Sequence, residues 1–158
     1  MALLGFAATA APAQDDAPAA KPAEQTVMVI HVDAQLKSGS DLVGKAALAE
    51  ILVGREVNGS WLWIPGAKGW IQQSDVVPID KAIDHFTSQI QKTPTSRNYF
   101  ERGAARVALG DFEKAVADFS RAIELDSQNL PAVNDRGTTY RTLGQLKNAK
   151  VDFDTVIA

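Results

Sequence analysis

The segment from Gly39 to Lys45 (GSDLVGK) has most of the spacing of a phosphate-binding P-loop. In such a loop, glycines and a lysine hold the phosphates, and a serine or threonine after the lysine holds magnesium. Ala46 stands where that hydroxyl is needed, and the segment lies between predicted short strands instead of opening a βαβ unit. We therefore expect a flexible loop here and no nucleotide site.

Other catalytic or metal-binding patterns are also missing from the sequence. The chain has no cysteine and only two histidines, His31 and His85, which fall in different predicted domains. A zinc site usually needs three or four ligands, and no HExxH spacing, Gly-x-Ser-x-Gly elbow or recognisable carboxylate pair is present. We expect His31 to be a hydrogen-bonded structural residue and His85 to be solvated. The sequence predicts no enzyme activity, cofactor or metal; a catalytic role would require residues outside it.

The distribution of charge argues against a nucleic-acid partner. Net charge is −2 over residues 1–25, −2 over 26–80 and +1 over 81–158, so no segment forms a basic stripe. The composition changes near Asp80, which predicts two small domains, each with a modest core.

The N-terminal segment has the pattern of an export signal followed by a tether. The apolar run ALLGFAATAA, from Ala2 to Ala11, ends in Ala11-Pro12-Ala13, which fits a small-x-small cleavage site. The run is too short to span a membrane. We interpret 1–13 as a signal peptide and 14–25 as an Ala/Pro-rich linker, and we expect an exported protein, periplasmic or extracellular. Because no basic residue precedes the run, a disordered cytosolic tail is the alternative.

Residues 26–79 have the content of about five short strands. The segment from Val27 to Val32 is apolar on both faces and predicts a buried strand, whereas 34–47 lack alternation and predict a long loop. Asn58-Gly59 predicts a type I′ hairpin. Short strands joined by tight turns predict a small antiparallel barrel.

Tryptophans dominate the later strands of this segment. The sequences GSWLWI (59–64) and KGWI (68–71) resemble the late strands of a bacterial SH3-like domain, and the resemblance covers 26–79. Trp61 and Trp63 share one strand face, and we expect Trp63 and Trp70 in the core. Trp61 is either core or an exposed shelf for a peptide or a cell-wall glycan, and it is our candidate partner-binding residue of the barrel.

The C-terminal half of the sequence repeats itself. The residues that match at an offset of 34 are Arg102-Gly103 with Arg136-Gly137, Leu109-Gly110 with Leu143-Gly144, and Asp118-Phe119 with Asp152-Phe153. The series resembles the tetratricopeptide (TPR) repeat, which implies one helix–turn–helix per unit. We assign repeat 1 to 96–129 and an incomplete repeat 2 to 130–158. Residues 80–95 are predicted to form a connecting helix that corresponds to the second helix of a repeat, and Thr95 or Ser96 should cap the helix that follows.

Small and aromatic residues predict how each helix pair packs. Gly103 and Gly137 allow close approach of the two helices, and Phe119 fills the gap between them. Gly110 and Gly144 permit the turns. The polar residues of the second helix of repeat 1 are expected in solvent: Lys114, Asp118 and Arg121. At the end of repeat 2 we expect an exposed apolar edge: Val151, Val156 and Ile157.

By the TPR resemblance, the first helix of each repeat lines a concave groove that binds a protein segment. The residues implied are Arg97, Phe100, Glu101, Asn134, Asp135, Thr138 and Arg141. Their mixed charges indicate no clear ligand preference, and Phe100 and Ala104 replace residues of a carboxylate-binding clamp. The fold class predicted is two-domain α+β, an SH3-like β-barrel followed by an all-α TPR solenoid. The expected function is a non-enzymatic adaptor or scaffold; the alternative is cell-wall binding by the barrel, with the helices as spacer.

Overall fold

The structure, a computed structural model, describes residues 10–12, 23–31, 33–47 and 49–157. The chain divides into two compact units, Met1–Val76 and Val77–Ala158. The first is built from strands and the second from helices, in agreement with the predicted α+β class. Most of the predicted signal peptide and linker lies outside the described residues.

The described strands form two antiparallel sheets. A five-stranded sheet has the order β3-β2-β7-β6-β5, and a three-stranded sheet has the order β4-β1-β8. These strands are not closed into a barrel by pairing between the sheets, so the SH3-like barrel stays a prediction. The strands are β1 Gln25–Val29, β2 Ala34–Ser38, β3 Asp41–Ala46, β4 Ile51–Gly54, β5 Glu56–Asn58, β6 Trp61–Ile64, β7 Gly69–Gln72 and β8 Val76–Pro78.

Strand β6 is buried on both faces. Leu62 and Ile64 lie in the main core of the unit, together with Val27, Val29 and Ile71 among others. The two tryptophans of β6 point the other way and join Trp70 in a separate apolar cluster. The predicted shared face of the β6 tryptophans is therefore confirmed, as is the buried strand at β1.

The predicted long loop over 34–47 is wrong, because β2 and β3 pair there as a hairpin. Its turn is Gly39-Ser40, where Gly39 has a φ of +60°, a value that suits glycine. A bulge between Leu36 and Lys37 interrupts the alternation that would have indicated β2. Strand β3 buries only Ala46, so its sequence shows no alternation at all.

The hairpin predicted at Asn58-Gly59 is confirmed, but its turn type is wrong. Asn58 pairs with Trp61, so the two-residue loop is Gly59-Ser60. Gly59 has a φ of +59° and Ser60 has no positive φ, whereas a type I′ turn needs positive φ at both positions. A glycine at the first central position fits a type II′ turn.

The described helices follow in the predicted helix–turn–helix order: α1 Ile79–Lys92, α2 Ser96–Ala108, α3 Phe112–Leu125, α4 Leu130–Thr142 and α5 Leu146–Ile157. Thr95 caps α2, because its side chain accepts a hydrogen bond from the Asn98 backbone N–H at 3.2 Å. The predicted turn glycines, Gly110 and Gly144, have φ values of +79° and +74°. None of the described helices is long and apolar enough to cross a membrane.

The glycines of α2 and α4 allow each first helix to approach its partner closely, as predicted. A Cβ atom on Gly103 would lie 2.6 Å from Cε1 of the buried Phe119. A Cβ atom on Gly137 would lie 2.9 Å from Cε1 of Phe153. On the predicted apolar edge of α5, Val151 and Ile157 are exposed, while Val156 is half-buried.

Candidate functional site

A buried ion pair holds the two helices of repeat 1 together. Arg102 of α2 donates hydrogen bonds from Nε and Nη2 to the two carboxylate oxygens of Asp118 in α3, at 2.9 and 2.7 Å. A third donor, Nη1, reaches Oγ1 of Thr87 in α1 at 3.1 Å. One guanidinium therefore connects three consecutive helices. The bidentate geometry is the strong form of a charge-assisted hydrogen bond.

The prediction that Asp118 stays in solvent is wrong. Its side chain is only 4% exposed, and Nη1 of Arg106 adds a second cationic partner at 2.8 Å. Burying an isolated carboxylate would cost much free energy, because the charge loses its contact with water. The two arginines compensate this cost for Asp118. The signal for this pair was present in the sequence, since Arg102 and Asp118 both recur in the second repeat.

The second repeat uses the same framework. Arg136 donates to both oxygens of Asp152 at 2.9 and 2.7 Å, and to the hydroxyl oxygen of Ser120 in α3 at 3.1 Å. Hydrogen bonding to the aspartates raises the pKa of Arg102 and of Arg136 above the ordinary arginine value, so both stay charged. Tyr140 stands where repeat 1 has its second arginine.

Away from these pairs, α2 carries the predicted groove residues Arg97 and Glu101. Nε of Arg97 donates to Oε1 of Glu101 at 2.8 Å. The Glu101 side chain is 5% exposed, whereas that of Arg97 is 50% exposed. Burial raises the pKa of Glu101 above its ordinary value, although Arg97 opposes this effect. A desolvated carboxylate thus has a single, half-exposed partner among the described residues.

On α4, Asp135 occupies the position that Glu101 holds on α2. Burial raises the pKa of Asp135 as well, and its side chain is bonded only by Nδ2 of Asn134, at 3.3 Å, within the described part of the chain. Thr138 is half-buried. Arg141 is exposed, with its guanidinium carbon 6.0 Å from the centre of the Phe153 ring.

Phe100 differs from its predicted groove neighbours, because its ring packs toward the helix interface. Its centroid lies 5.9 Å from that of Phe119, in a tilted arrangement, and the residue is half-buried.

The structure places the predicted groove residues on two equivalent helices, three on α2 and four on α4. Among them, Arg97 and Asn134 hydrogen-bond within their own helix, and partner binding by all seven stays a prediction.

Trp61 is not an exposed aromatic shelf in this structure. It is 4% exposed and packs in one cluster with Trp63, Trp70 and Ala11. The predicted core positions of Trp63 and Trp70 are confirmed, with ring centroids 5.2 Å apart. A glycan would thus find no open indole at Trp61, and the cell-wall alternative gains no support here.

The other residues considered for chemistry have structural surroundings. Nδ1 of His31 lies 2.9 Å from Oδ1 of Asp75, so this histidine is hydrogen-bonded as expected. His85 is half-buried, with its ring edge-on to Phe86, so it is less solvated than expected. Lys45, the lysine of the P-loop-like segment, donates to Asp33 at 2.8 Å. Over the described residues, no group of three or more His, Asp and Glu side chains could hold a metal ion.

Comparisons with known proteins agree with the helical assignment. A family model described as "Tetratricopeptide repeat" matches residues 96–129. Mouse sperm-associated antigen 1 is 31% identical over 78 residues, which cover 49% of this chain and 9% of that protein. A rice SGT1 homologue is 32% identical over 74 residues, covering 46% of this chain and 20% of that protein. The chain thus spans a fifth or less of the length of these relatives.

Solved TPR structures also resemble the chain over about half its length. The second TPR of Spaghetti (RPAP3), bound to the HSP90 peptide SRMEEVD, is 32% identical and covers 50% of this chain and 74% of that one, with a TM-score of 0.49. The TPR domain of Arabidopsis OM64 is 30% identical, with coverages of 50% and 66% and the same TM-score. The match to the family model, over residues 96–129, identifies a tetratricopeptide repeat in the helical unit of this chain.

Proposed function

We propose that this chain is a non-enzymatic interaction adaptor whose helical unit binds an extended protein segment along α2 and α4. One observation carries the proposal: the polar side chains of these two helices fall into two groups, one that anchors the helices and one that can contact a ligand. Arg102 and Arg136 are committed to neighbouring helices through buried bidentate pairs. Among the described residues, Arg97 and Asn134 hydrogen-bond within their own helix, and both stay available to a ligand.

The two sets of contacts differ in how readily they can be exchanged. The Arg97 side chain is half-exposed, so a ligand can reach its bond to Glu101; because that carboxylate is buried, the ligand must supply a donor in exchange. Removing one partner of a buried pair costs about 3–5 kcal/mol, which keeps the anchoring arginines in place. The binding side can therefore adapt while the helix packing stays fixed.

The burial of two carboxylates indicates what the ligand should offer. Glu101 and Asp135 stand at equivalent positions of the two repeats, and both are partly desolvated. Each has one hydrogen-bond partner in the described part of the chain. A segment that brings backbone N–H groups or a lysine or arginine side chain would satisfy their remaining acceptor capacity. We therefore propose that the site prefers a segment with hydrogen-bond donors or positive charge to an acidic segment.

Selection from a random peptide library, followed by calorimetry on the selected peptide, tests the proposal. The groove variant carries Glu101→Gln, Asn134→Ala and Asp135→Asn. The control variant carries Glu113→Gln, Asn148→Ala and Asp154→Asn, which also removes two carboxylates and one amide but from exposed positions of α3 and α5. We expect at least a tenfold weaker affinity for the groove variant and an unchanged affinity for the control. Equal affinities of both variants would refute the α2–α4 site.

We also propose that the protein acts outside the cytoplasmic membrane. The apolar run before Ala11-Pro12-Ala13 supports this location. A fusion of residues 1–25 to a reporter enzyme that is active only after export tests it in a bacterial host. We expect the reporter to be active and to lose its activity when Leu3 and Leu4 of the run are changed to aspartate. An inactive reporter on the unchanged segment would contradict export.

A further inference from the structure

The tryptophan surface, formed by Trp61, Trp63 and Trp70, covers the side of β6 and β7 that faces away from the main core. All three side chains are buried. Leu62 and Ile71 occupy the opposite face of the same strands and belong to the main core. An antiparallel sheet commonly packs one face on a core and leaves the other in water. Here the second face is buried as well, so something must cover it.

Part of that cover comes from the N-terminal segment of the chain. Ala11 is 4% exposed and is the fourth member of the tryptophan cluster. The next residue, Pro12, accepts a hydrogen bond at its carbonyl oxygen from the Gly39 backbone N–H, at 2.8 Å. A small residue thus contacts the indoles, and a main-chain hydrogen bond holds the segment beside the β2–β3 turn.

The surface also has hydrogen-bond donors that residues 10–12 do not use. Nε1 of Trp61 and Nε1 of Trp70 are buried and have no acceptor within the described residues. Buried donors normally have a partner, because an unsatisfied N–H group costs free energy. A bound peptide longer than residues 10–12 would bring further main-chain carbonyl groups, which are suitable acceptors for these two donors.

We propose that the tryptophan surface is a peptide-binding site for extended segments that contain Ala-Pro, and that Ala11-Pro12 occupies it in cis. Indole faces suit proline-containing segments, whose extended conformation is already populated before binding and so loses little entropy. The dipeptide occurs again in the same chain as Ala17-Pro18. Cleavage after Ala13 would remove the first copy and free the site for a segment from another molecule.

The indole N–H signals of the full ¹⁵N-labelled chain test this proposal, since the chain has three tryptophans. Ala11→Asp places a carboxylate against the aromatic cluster and should displace the segment. We expect the Trp61 and Trp70 indole signals to move toward the positions of solvent-exposed indoles and to exchange faster with D₂O. The matched control, Ala17→Asp, should leave them unchanged. Unmoved indole signals in Ala11→Asp would overturn the proposal.

A peptide of residues 8–14 (ATAAPAQ), blocked at both ends, then separates a binding site from simple packing. Added to the Ala11→Asp chain, it should restore the indole signals in a saturable way, with at least tenfold less effect on the wild-type chain, whose site is filled in cis. The same peptide with Ala11→Asp should not restore them. If the variant loses the dispersed signals of the sheets, Ala11→Ser replaces it in the same titration. Absence of any saturable restoration would overturn the proposal.

Discussion

Arg102 donates hydrogen bonds to both oxygens of the Asp118 carboxylate, and the same arginine reaches Thr87 in the preceding helix. Arg136 repeats this arrangement with Asp152 and Ser120, at matching distances. Each first helix is thus fixed to the helix before it and to the helix after it. This fixed framework is what leaves the remaining polar residues of α2 and α4 available to a partner.

Asp118→Asn should destabilise the helical unit more than Asp152→Asn. Asp118 compensates two arginines, whereas Asp152 is bonded to one. We expect a loss of about 2–4 kcal/mol for Asp118→Asn, below the value for a fully buried pair because the arginines keep some contact with water. Chemical denaturation followed by far-UV circular dichroism measures the difference.

The control for this comparison is Asp154→Asn, which removes an exposed ion pair with Lys150. Its effect should stay at or below about 0.5 kcal/mol. If Asp118→Asn were no more costly than Asp154→Asn, the framework described above would not hold the helices.

The helical half could be predicted because its signals are local and repeated. Glycine and phenylalanine recur at equivalent positions of the two repeats, and a Cβ atom on Gly103 would collide with Phe119, so the recurrence reflects direct contact. The burial of Asp118 was missed because an acidic residue between lysine and arginine on a helix normally faces water. Its partner Arg102 lies on another helix, and only the paired recurrence of both residues indicates it.

The sheets were harder to predict, because their signals depend on pairing. The bulge after Leu36 breaks the alternation of β2, and β3 exposes Leu42 and Val43, so neither strand has a regular apolar pattern. The burial of Trp61 could not be predicted either. It depends in part on Ala11, which lies far earlier in the sequence and outside the predicted barrel.

Gly103→Ala should destabilise the chain by about 1–3 kcal/mol, the usual cost of overpacking a core. The new methyl group would lie 2.6 Å from Phe119, which is fully buried and cannot move aside. Gly137→Ala should cost less, because its contact with Phe153 is longer and that ring is half-buried. Thermal unfolding of both variants gives the comparison.

Gly66→Ala is the control, since no atom lies within 4 Å of a Cβ at that position. This substitution should leave the midpoint temperature of thermal unfolding unchanged or raise it slightly. Equal losses at Gly103 and Gly66 would show that close helix contact is not the reason for the glycine.

Glu101 should make the stability of the chain depend on pH. Because burial raises its pKa above 4.5, the folded chain holds the proton to higher pH than the unfolded chain. The contribution of Glu101 to the free energy of unfolding therefore falls as the pH rises above 4.5, through the raised value. Glu101→Gln removes this titration, so the stability of the variant relative to wild type should increase over that range and then level off.

Denaturation of both proteins at a series of pH values measures this difference. Asp135→Asn should show the same direction, starting near the ordinary value of 3.8, since burial raises that pKa too. A difference that is flat, or that shrinks as the pH rises, would contradict the desolvation of these two carboxylates.

Thr95→Ala should cost about 1 kcal/mol by removing the cap of α2. The Thr95 hydroxyl accepts from the Asn98 backbone N–H, which has no acceptor one turn earlier in the helix. Thr93→Ala is a close control, because Thr93 is also exposed but its hydroxyl forms no described hydrogen bond. Equal losses of unfolding free energy for Thr95→Ala and Thr93→Ala, measured by urea denaturation, would rule out the capping role.

The most direct test of the central claim maps a selected peptide onto the helical unit by amide chemical-shift changes. The proposed site predicts the largest changes along α2 and α4, at Arg97, Asn134, Thr138 and Arg141, with little change at Arg121 and Lys147. Changes confined to α3 and α5, or to the strands, would contradict a binding site on the first helices of the repeats.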